Sequence, residues 1–574
     1  MKRILRAGPL RVEYRNGEVG RIFAGKTEVL RRVHAPVRDR DWGTVPFRLE
    51  GEQIIEENDG FRVAFTALHE AGDIAFRWNG AIVGEPNGTI TFEFDGVAQS
   101  SFWRNRIGFC VLHPMSCAGA PARVDGLDGH RENTGFPRLI APNCPFAGMG
   151  ALAHEVAPLC WAKVRFEGDE FETEDQRNWT DASFKTYCTP LRLPFPVWIE
   201  AGTRIHQRVT LSLEGHGWSK FDASPRGDEP VRVLRKEPLG ALPPIGLLLP
   251  PNFTGLSPRE EELLRAVSPA HLRVDLDFAR EWQPALHRAI EAARALDCAL
   301  EMGLFVGEGA RDEDVDALTH ALRNVPVSAF LAFATRTRTL PHALFDALQA
   351  RLNAAFSGVA VGAGSNANFA ELNRGRPCDE ADFVVYASNP QVHAFDDASI
   401  LETPLALGQT LESARAIARG GAVKVSSVSL RPLFNAVATG AQNEVETREA
   451  RPTNADPRAH SALAATWLGA SLTALVNAGL GAVEGDSVTA LEPVGWRGLL
   501  DFQGNPSPSY FALCDWNAAR GKPTFAARSS DEERVLGLFV GDALWLFNVT
   551  MAPQRVRVEG RGDVELGAFE WKRM

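Results

Sequence analysis

Leu272-Arg-Val-Asp-Leu276 and Leu300-Glu-Met-Gly-Leu-Phe-Val306, with the helical run Ala285 to Leu296 between them, decide the fold. Two short apolar runs separated by one helix make a β-α-β unit, because parallel strands need a crossover of that length. The alternation continues on both sides. Gly246-Leu-Leu-Leu249 precedes it, and Ala329-Phe-Leu-Ala-Phe333, Val359-Ala-Val-Gly362, Phe383-Val-Val-Tyr386, Val423-Lys-Val-Ser-Ser-Val428 and Gly481-Ala-Val-Glu484 follow. Helix signals lie between most of these runs: Ser257 before Pro258 and two glutamates, Asp314 to Leu322, Ala343 to Ala354 and Arg458 to Val476. Eight alternations over roughly 245 residues match a (β/α)8 TIM-type barrel in count and size. A doubly wound open sheet is the alternative, but Gly479-Leu-Gly481 lacks the spacing and position of a nucleotide-binding glycine loop.

On either side the period changes. Leu10-Arg-Val-Glu-Tyr14, Phe61-Arg-Val-Ala-Phe65, Ile74-Ala-Phe-Arg-Trp78 and Thr89-Ile-Thr-Phe-Glu-Phe94 alternate apolar and polar residues, with Asn16-Gly17, Asn58-Asp-Gly60 and Asn87-Gly88 as turns. These features predict a β-sandwich over residues 1–232. The barrel is expected over 243–515. Alternation returns in Val535-Leu-Gly-Leu-Phe-Val540 and Ala543-Leu-Trp-Leu-Phe-Asn-Val549, predicting a small antiparallel β-domain over 520–574.

The 574 residues carry a formal charge of −11 and no long Lys/Arg run, which argues against nucleic acid as a partner. No apolar stretch reaches the roughly 18 residues of a membrane span, and none follows the basic N-terminus as a signal peptide would require. The eight cysteines form no CxxC pair and read as reduced thiols of a cytoplasmic protein.

In such a barrel the chemistry sits at the C-terminal ends of the strands. Strand two ends at Asp275 and Asp277, strand seven leads to Arg431 and Asn435, and the eighth run carries Glu484. The fifth run leads into a polar stretch with Asn368, Glu371, Asn373 and Arg374, and the sixth into one with His393, Asp396 and Asp397. A third polar stretch, Glu174 to Tyr187, lies in the β-domain and holds Asp175, Arg177, Asn178, Trp179, Asp181 and Lys185. Carboxylates and amides bind hydroxyls, an indole covers a sugar's apolar face, and Arg or Lys holds a carbonyl oxygen. A solvated, ion-paired loop is the plain alternative for this stretch.

No Gly-x-Ser-x-Gly elbow and no His-Glu-x-x-His occur. No cofactor is expected. A metal assembled from distant residues would have His393 and Asp396 as its first candidates. The residues leave open a glycoside hydrolase with Glu371 and Glu484 as its two carboxylates and a sugar-binding protein without turnover.

Four motifs in order narrow the choice. Asn105-Arg-Ile-Gly-Phe-Cys-Val-Leu-His-Pro114, the stretch Glu174 to Tyr187, Asn368-Phe-Ala-Glu-Leu-Asn-Arg-Gly-Arg-Pro377 and Pro390-Gln-Val-His-Ala-Phe-Asp-Asp397 together resemble the bacterial D-apionate lactonase family. The resemblance implies hydrolysis of D-apionolactone to D-apionate in the breakdown of the branched pentose apiose. Lactone opening needs a base for water, donors for the oxyanion and an acid for the ring oxygen. We expect Glu371 or one of Asp396 and Asp397 to activate water, with His393 as acid or orienting donor. Arg177 or Lys185 would stabilise the oxyanion. Asp175, Asn178, Trp179, Asp181, Asn368, Asn373 and Arg374 would bind the substrate. This arrangement requires segment 174–187 to reach the barrel mouth.

Overall fold

The computed structural model describes residues 2–218, 229–307, 312–335, 339–433 and 450–574. The chain divides into two compact units: Met1–Gln176 with Ala182–Asp228, and Arg177–Asp181 with Glu229–Met574.

The first unit is built on a long sheet that runs from Arg3–Ala7 at one edge to Phe47–Glu57 at the other. Leu10–Arg15 and Glu18–Ala24 are joined through Asn16 and Gly17, both left-handed with φ of +50° and +76°. That is the turn the Asn-Gly pair predicts. Residues from both ends of the sheet share one core, with Val12 and Ile22 joining Phe65, Trp78 and Phe92, so the sheet packs against itself as a sandwich. Aromatic rings dominate there. Phe94 is wholly buried, with its ring 4.7 Å from Trp78 and 6.0 Å from Phe76.

The second unit contains the closed parallel barrel. Its strands are β1 (Ile245–Leu248), β2 (His271–Asp277), β3 (Ala299–Val306), β4 (Val327–Ala334), β5 (Val361–Ser365), β6 (Phe383–Ser388), β7 (Ala422–Val428) and β8 (Ser487–Ala490). The helices used below are α1 (Pro258–Val267), α2 (Gln283–Leu296), α3 (Asp312–Ala321), α4 (His342–Ala355), α5 (Phe369–Arg374), α6 (Asp397–Ile417) and α7 (Ala462–Asn477). The Ser257-Pro signal becomes a capping box, in which the Ser257 hydroxyl accepts from the Glu260 amide while the Glu260 carboxylate accepts from the Ser257 amide.

One expectation needs correction. Gly481-Ala-Val-Glu484 is not the eighth strand. The buried Asp486 carboxylate accepts from the Gly481 and Val483 amides, wrapping this run into a turn, and β8 begins only at Ser487. Glu484 is therefore exposed at the N-terminal end of the barrel, opposite the catalytic end, and cannot pair with Glu371 across a glycosidic bond. Val231–Ala241, between the expected sandwich and barrel spans, is a strand of another sheet. It pairs antiparallel with Pro523–Ser529 and parallel with Gln554–Val558, which puts it inside the seven-stranded C-terminal sheet and makes that sheet mixed. Residues Leu463–Val476 of α7 are all buried, and its Gly469 lies so close to Phe547 that a Cβ would meet the ring at 2.2 Å.

The barrel interior carries a charged set packed beside apolar residues such as Leu331, Phe333 and Phe383. Glu301 on β3 is wholly buried and faces Lys424 of β7 at 3.3 Å, while its other oxygen accepts from Ser426 and Thr489 at 3.2 and 3.0 Å. His271 shares the Thr489 hydroxyl at 2.9 Å. Above them Arg273 on β2 is fully buried, donating to Asp275, to the Ser426 carbonyl and hydroxyl, and to Asn366. Gly303 makes room for this, since a Cβ there would lie 2.1 Å from the Asp275 carboxylate. Burial alone would raise the Glu301 carboxyl, but the facing cations and the Thr489 hydroxyl hold it down at about 2, whereas burial drives His271 down to about 4.

Candidate active site at the barrel mouth

The polar stretch after β5 is not a plain loop. It forms α5, whose Asn368 cap accepts from the Asn389 amide at 2.7 Å and so ties α5 to the segment after β6. Within α5, Glu371 and Asn373 are buried and Arg374 is exposed. His393 follows β6 and is part-exposed.

Into this surface comes the excursion Arg177–Asp181. Its five side chains each meet a barrel group, and Trp179 and Asp181 meet the same one, His393. Arg177 donates to Gln409 of α6 at 2.7 Å, and the Asn178 oxygen accepts from Asn373 of α5 at 3.0 Å. Trp179 stands edge-on to the His393 ring at 5.2 Å, with the Arg374 guanidinium 4.9 Å above its own ring. The Thr180 hydroxyl donates to the Asn389 carbonyl at 2.6 Å, and Thr180 itself takes a left-handed φ of +64° that turns the chain back. Asp181 Oδ2 lies 2.6 Å from His393 Nδ1.

That last contact defines what the arrangement can do. With Nδ1–H donating to a carboxylate, the imidazole is fixed in the tautomer whose Nε2 carries a lone pair, and the imidazolium formed on taking a proton is stabilised. A part-exposed His oriented by a carboxylate at the catalytic end of a barrel can serve as base for water and then as acid for a leaving oxygen.

The sequence-predicted residues thus separate. Arg177, Asn178, Trp179, Asp181, Asn368, Glu371, Asn373, Arg374 and His393 come together. Asp396 caps α6, accepting from the Ser399 amide at 3.1 Å and hydroxyl at 2.7 Å. Asp397 is paired with Arg458 at 2.6 Å. Neither aspartate is thereby placed as the base, since each carboxylate is engaged in holding the segment around His393. Asp175 and Lys185 belong to the first unit, where Asp175 accepts from the Ala141 amide at 3.0 Å and Lys185 pairs with Glu174 on the neighbouring strand. Only 177–181 of the stretch 174–187 is part of the barrel's unit. Arg177 is fully buried against Gln409, which suits it to anchoring rather than to meeting an oxyanion. Asn435 lies outside the described residues.

Several groups at the mouth escaped the sequence reading. Gln391 donates to the Leu430 carbonyl and accepts from Arg458, which also binds the buried Asp456. Burial would raise the Asp456 carboxyl, but the hydrogen bonds from Arg458 and Gln391 outweigh it and hold the group well below the carboxylate range. Glu492, not Glu484, is the carboxylate just past β8; placing that strand correctly would have found it. Among the described residues, the group of three side chains able to hold a metal is Asp346, Cys378 and Glu380. It includes neither His393 nor Asp396, the two suggested by sequence.

Comparisons with known proteins agree along the whole chain. Residues 1–216 match the N-terminal domain of D-apionate lactonase, residues 245–526 its TIM barrel domain and residues 532–574 its C-terminal immunoglobulin-like domain. The D-apionate lactonase of Brucella anthropi is 31% identical over 589 aligned residues, covering 98% of this chain and 95% of that protein. Among solved structures, a glycoside hydrolase family 30 subfamily 8 xylanase from Clostridium acetobutylicum is similar with a TM-score of 0.38 and 10% identity, over 60% of this chain and 98% of its own. A xylanase mutant (Xyn10A) from Cellvibrio japonicus gives 0.30 and 13%, over 48% and 97%. With domain models covering nearly all of its length and a full-length relative above 30% identity, the chain belongs to the D-apionate lactonase family, hydrolases of the ester bond in a sugar lactone.

Proposed function

We propose that this protein hydrolyses D-apionolactone to D-apionate, with His393 and Asp181 as the proton-handling pair. The observation that carries the reading is the 2.6 Å contact between Asp181 and His393 Nδ1 at the catalytic end of the barrel. His393 Nε2 takes a proton from water as the oxygen attacks the lactone carbonyl. The carbonyl electrons move onto oxygen and return as the ring C–O bond breaks, and the imidazolium gives its proton to the departing ring oxygen. Asp181 holds the ring and balances the transient charge. Arg374, held over Trp179, supplies positive charge for the oxyanion, and Asn368 and Glu371 line the approach. Arg177, Asn178 and Thr180 position Asp181. A cytoplasmic setting accords with the eight cysteines, all of them free thiols.

Lactone opening releases acid, so turnover is read with a pH indicator. His393→Ala should lower kcat by about 10²–10⁴-fold and Asp181→Asn by a smaller factor, both variants keeping the wild-type circular dichroism spectrum. Near-normal kcat in both folded variants would remove the pair from the mechanism.

A further inference from the structure

The C-terminal end of β2 carries two aspartates that the proton-handling pair leaves unused, and they differ. Asp277 shapes the loop after the strand, accepting from the Ala279 amide at 3.0 Å and pairing with Arg280 at 3.2 Å. Asp275 lies one inward position deeper, level with Gly303 of β3. It shares the inner face of β2 with Arg273, whose bonds cross the barrel to Ser426 and Asn366. Arg273 grips both oxygens of Asp275, through Nε at 2.8 Å and Nη2 at 3.2 Å. The Arg273 side chain is 0% exposed and that of Asp275 27%, so the charged interior meets solvent at this carboxylate. Each carboxylate oxygen can accept two hydrogen bonds, and Arg273 takes one on each. The next inward position of β3 toward the mouth is Phe305, part-buried, with its ring 5.3 Å from that of the buried Phe333. A bonded path joins this place to the pair within the same unit. Arg273 donates to Asn366, and two residues on Asn368 accepts from the Asn389 amide at 2.7 Å. The Asn389 carbonyl accepts from Thr180, the neighbour of Asp181.

We propose that Asp275 is a specificity-determining residue, a fixed acceptor for the hydroxyls of the lactone ring, with Phe305 against the ring's C–H face. A carboxylate offers only acceptors, so its ligand has to donate. Arg273 already balances its charge, which removes the pull on a cation, and Asp277 close by disfavours an anion. A neutral polyol meets both conditions. The barrel rule places such a ligand at this end of the strands. The proposal rests on the lactonase reading for the identity of that ligand.

Asp275→Asn replaces one acceptor oxygen with an amide, and Asp275→Glu keeps the charge facing Arg273 but moves the oxygens by one C–C bond. Asp277→Asn is the control. Each is assayed with D-apionolactone and with γ-butyrolactone, which has no hydroxyls, and urea unfolding checks that each is folded. We expect both Asp275 variants to raise KM for D-apionolactone about tenfold or more, with kcat changed much less. Preference for it over γ-butyrolactone should fall by the same factor, and by less than about twofold in Asp277→Asn. If Asp275→Asn does not fold, Asp275→Glu decides alone. A loss shared equally by the two lactones, no loss, or an equal shift in Asp277→Asn overturns the proposal and leaves the lactonase reading intact. If only D-apionolactone is opened, a loss carried by KM supports the proposal and one carried by kcat rejects it. If the wild type opens neither lactone, the lactonase reading falls and calorimetry with D-apionolactone decides. Binding that weakens about tenfold in the Asp275 variants supports the acceptor role, and unchanged or absent binding rejects it.

Discussion

The sandwich core and the barrel interior solve the same burial problem with opposite materials. Phe65, Phe76, Trp78, Phe92 and Phe94 fill the first with rings, and the titratable groups buried among such residues, His34, His69, His113 and His154, are held neutral by burial, all below the ordinary imidazole range. The barrel instead buries Glu301, Lys424 and Arg273 as a bonded set. An apolar core loses stability in proportion to the atoms removed, because each contact contributes a little. A buried ionic set behaves differently: removing one member strands the others in low dielectric, whereas removing all the charge together costs little. Graded response in one region and all-or-none response in the other is the lesson of the contrast.

Acid should separate the two most strongly. The four sandwich histidines bind protons more weakly folded than unfolded, so their stabilisation is complete above pH about 6.5 and is lost as pH falls, with His154 titrating near 4. His271 adds one such group to the barrel, but Glu301, held at about 2, keeps its contribution until the pH falls below about 4.5. Each wholly buried imidazole is worth on the order of 1 to 2 kcal/mol between pH 6.5 and 5. Hydrogen exchange read by mass spectrometry at pH 5 should therefore show the sandwich strands opening before the barrel strands. The reverse order would contradict the assignment of neutral histidines.

Glu301→Gln comes next, with an expected loss of about 3–5 kcal/mol in urea unfolding, because Lys424 loses its ionic partner. The double variant Glu301→Leu/Lys424→Met should recover most of that loss. A double variant as unstable as the single would mean the interior behaves additively, like the sandwich. Phe94→Leu should cost least, about 1–2 kcal/mol, with no second substitution needed to explain it. A loss of 4 kcal/mol or more would make the aromatic core as brittle as the ionic one.

What could be read from the chain follows the reach of the physics involved. Seven barrel strands declared themselves because an apolar run between helical stretches is a local pattern. The eighth was misread because Gly481-Ala-Val-Glu484 has a strand's hydrophobicity but is bent around Asp486, a tertiary event. Val231–Ala241 went unassigned, since nothing in a strand's own residues states which sheet it will join. At the site, the polar groups after β5 and β6 were legible from the barrel rule alone. Asp181 was expected to hold hydroxyls, and its partnership with His393 spans 212 residues of sequence with no periodicity to announce it. Arg273 was hidden inside a strand whose alternation read as ordinary.

The brief return of residues 177–181 sets a rule for anyone recombining these proteins. Asp181 falls within the segment matched as an N-terminal domain, and His393 within the segment matched as the barrel. A chimera spliced along the seam between them keeps eight strands and an imidazole but imports a foreign carboxylate, or none. On the proposed mechanism the catalytic unit is smaller than the molecule yet larger than its barrel, and its two portions have to be inherited as a matched set.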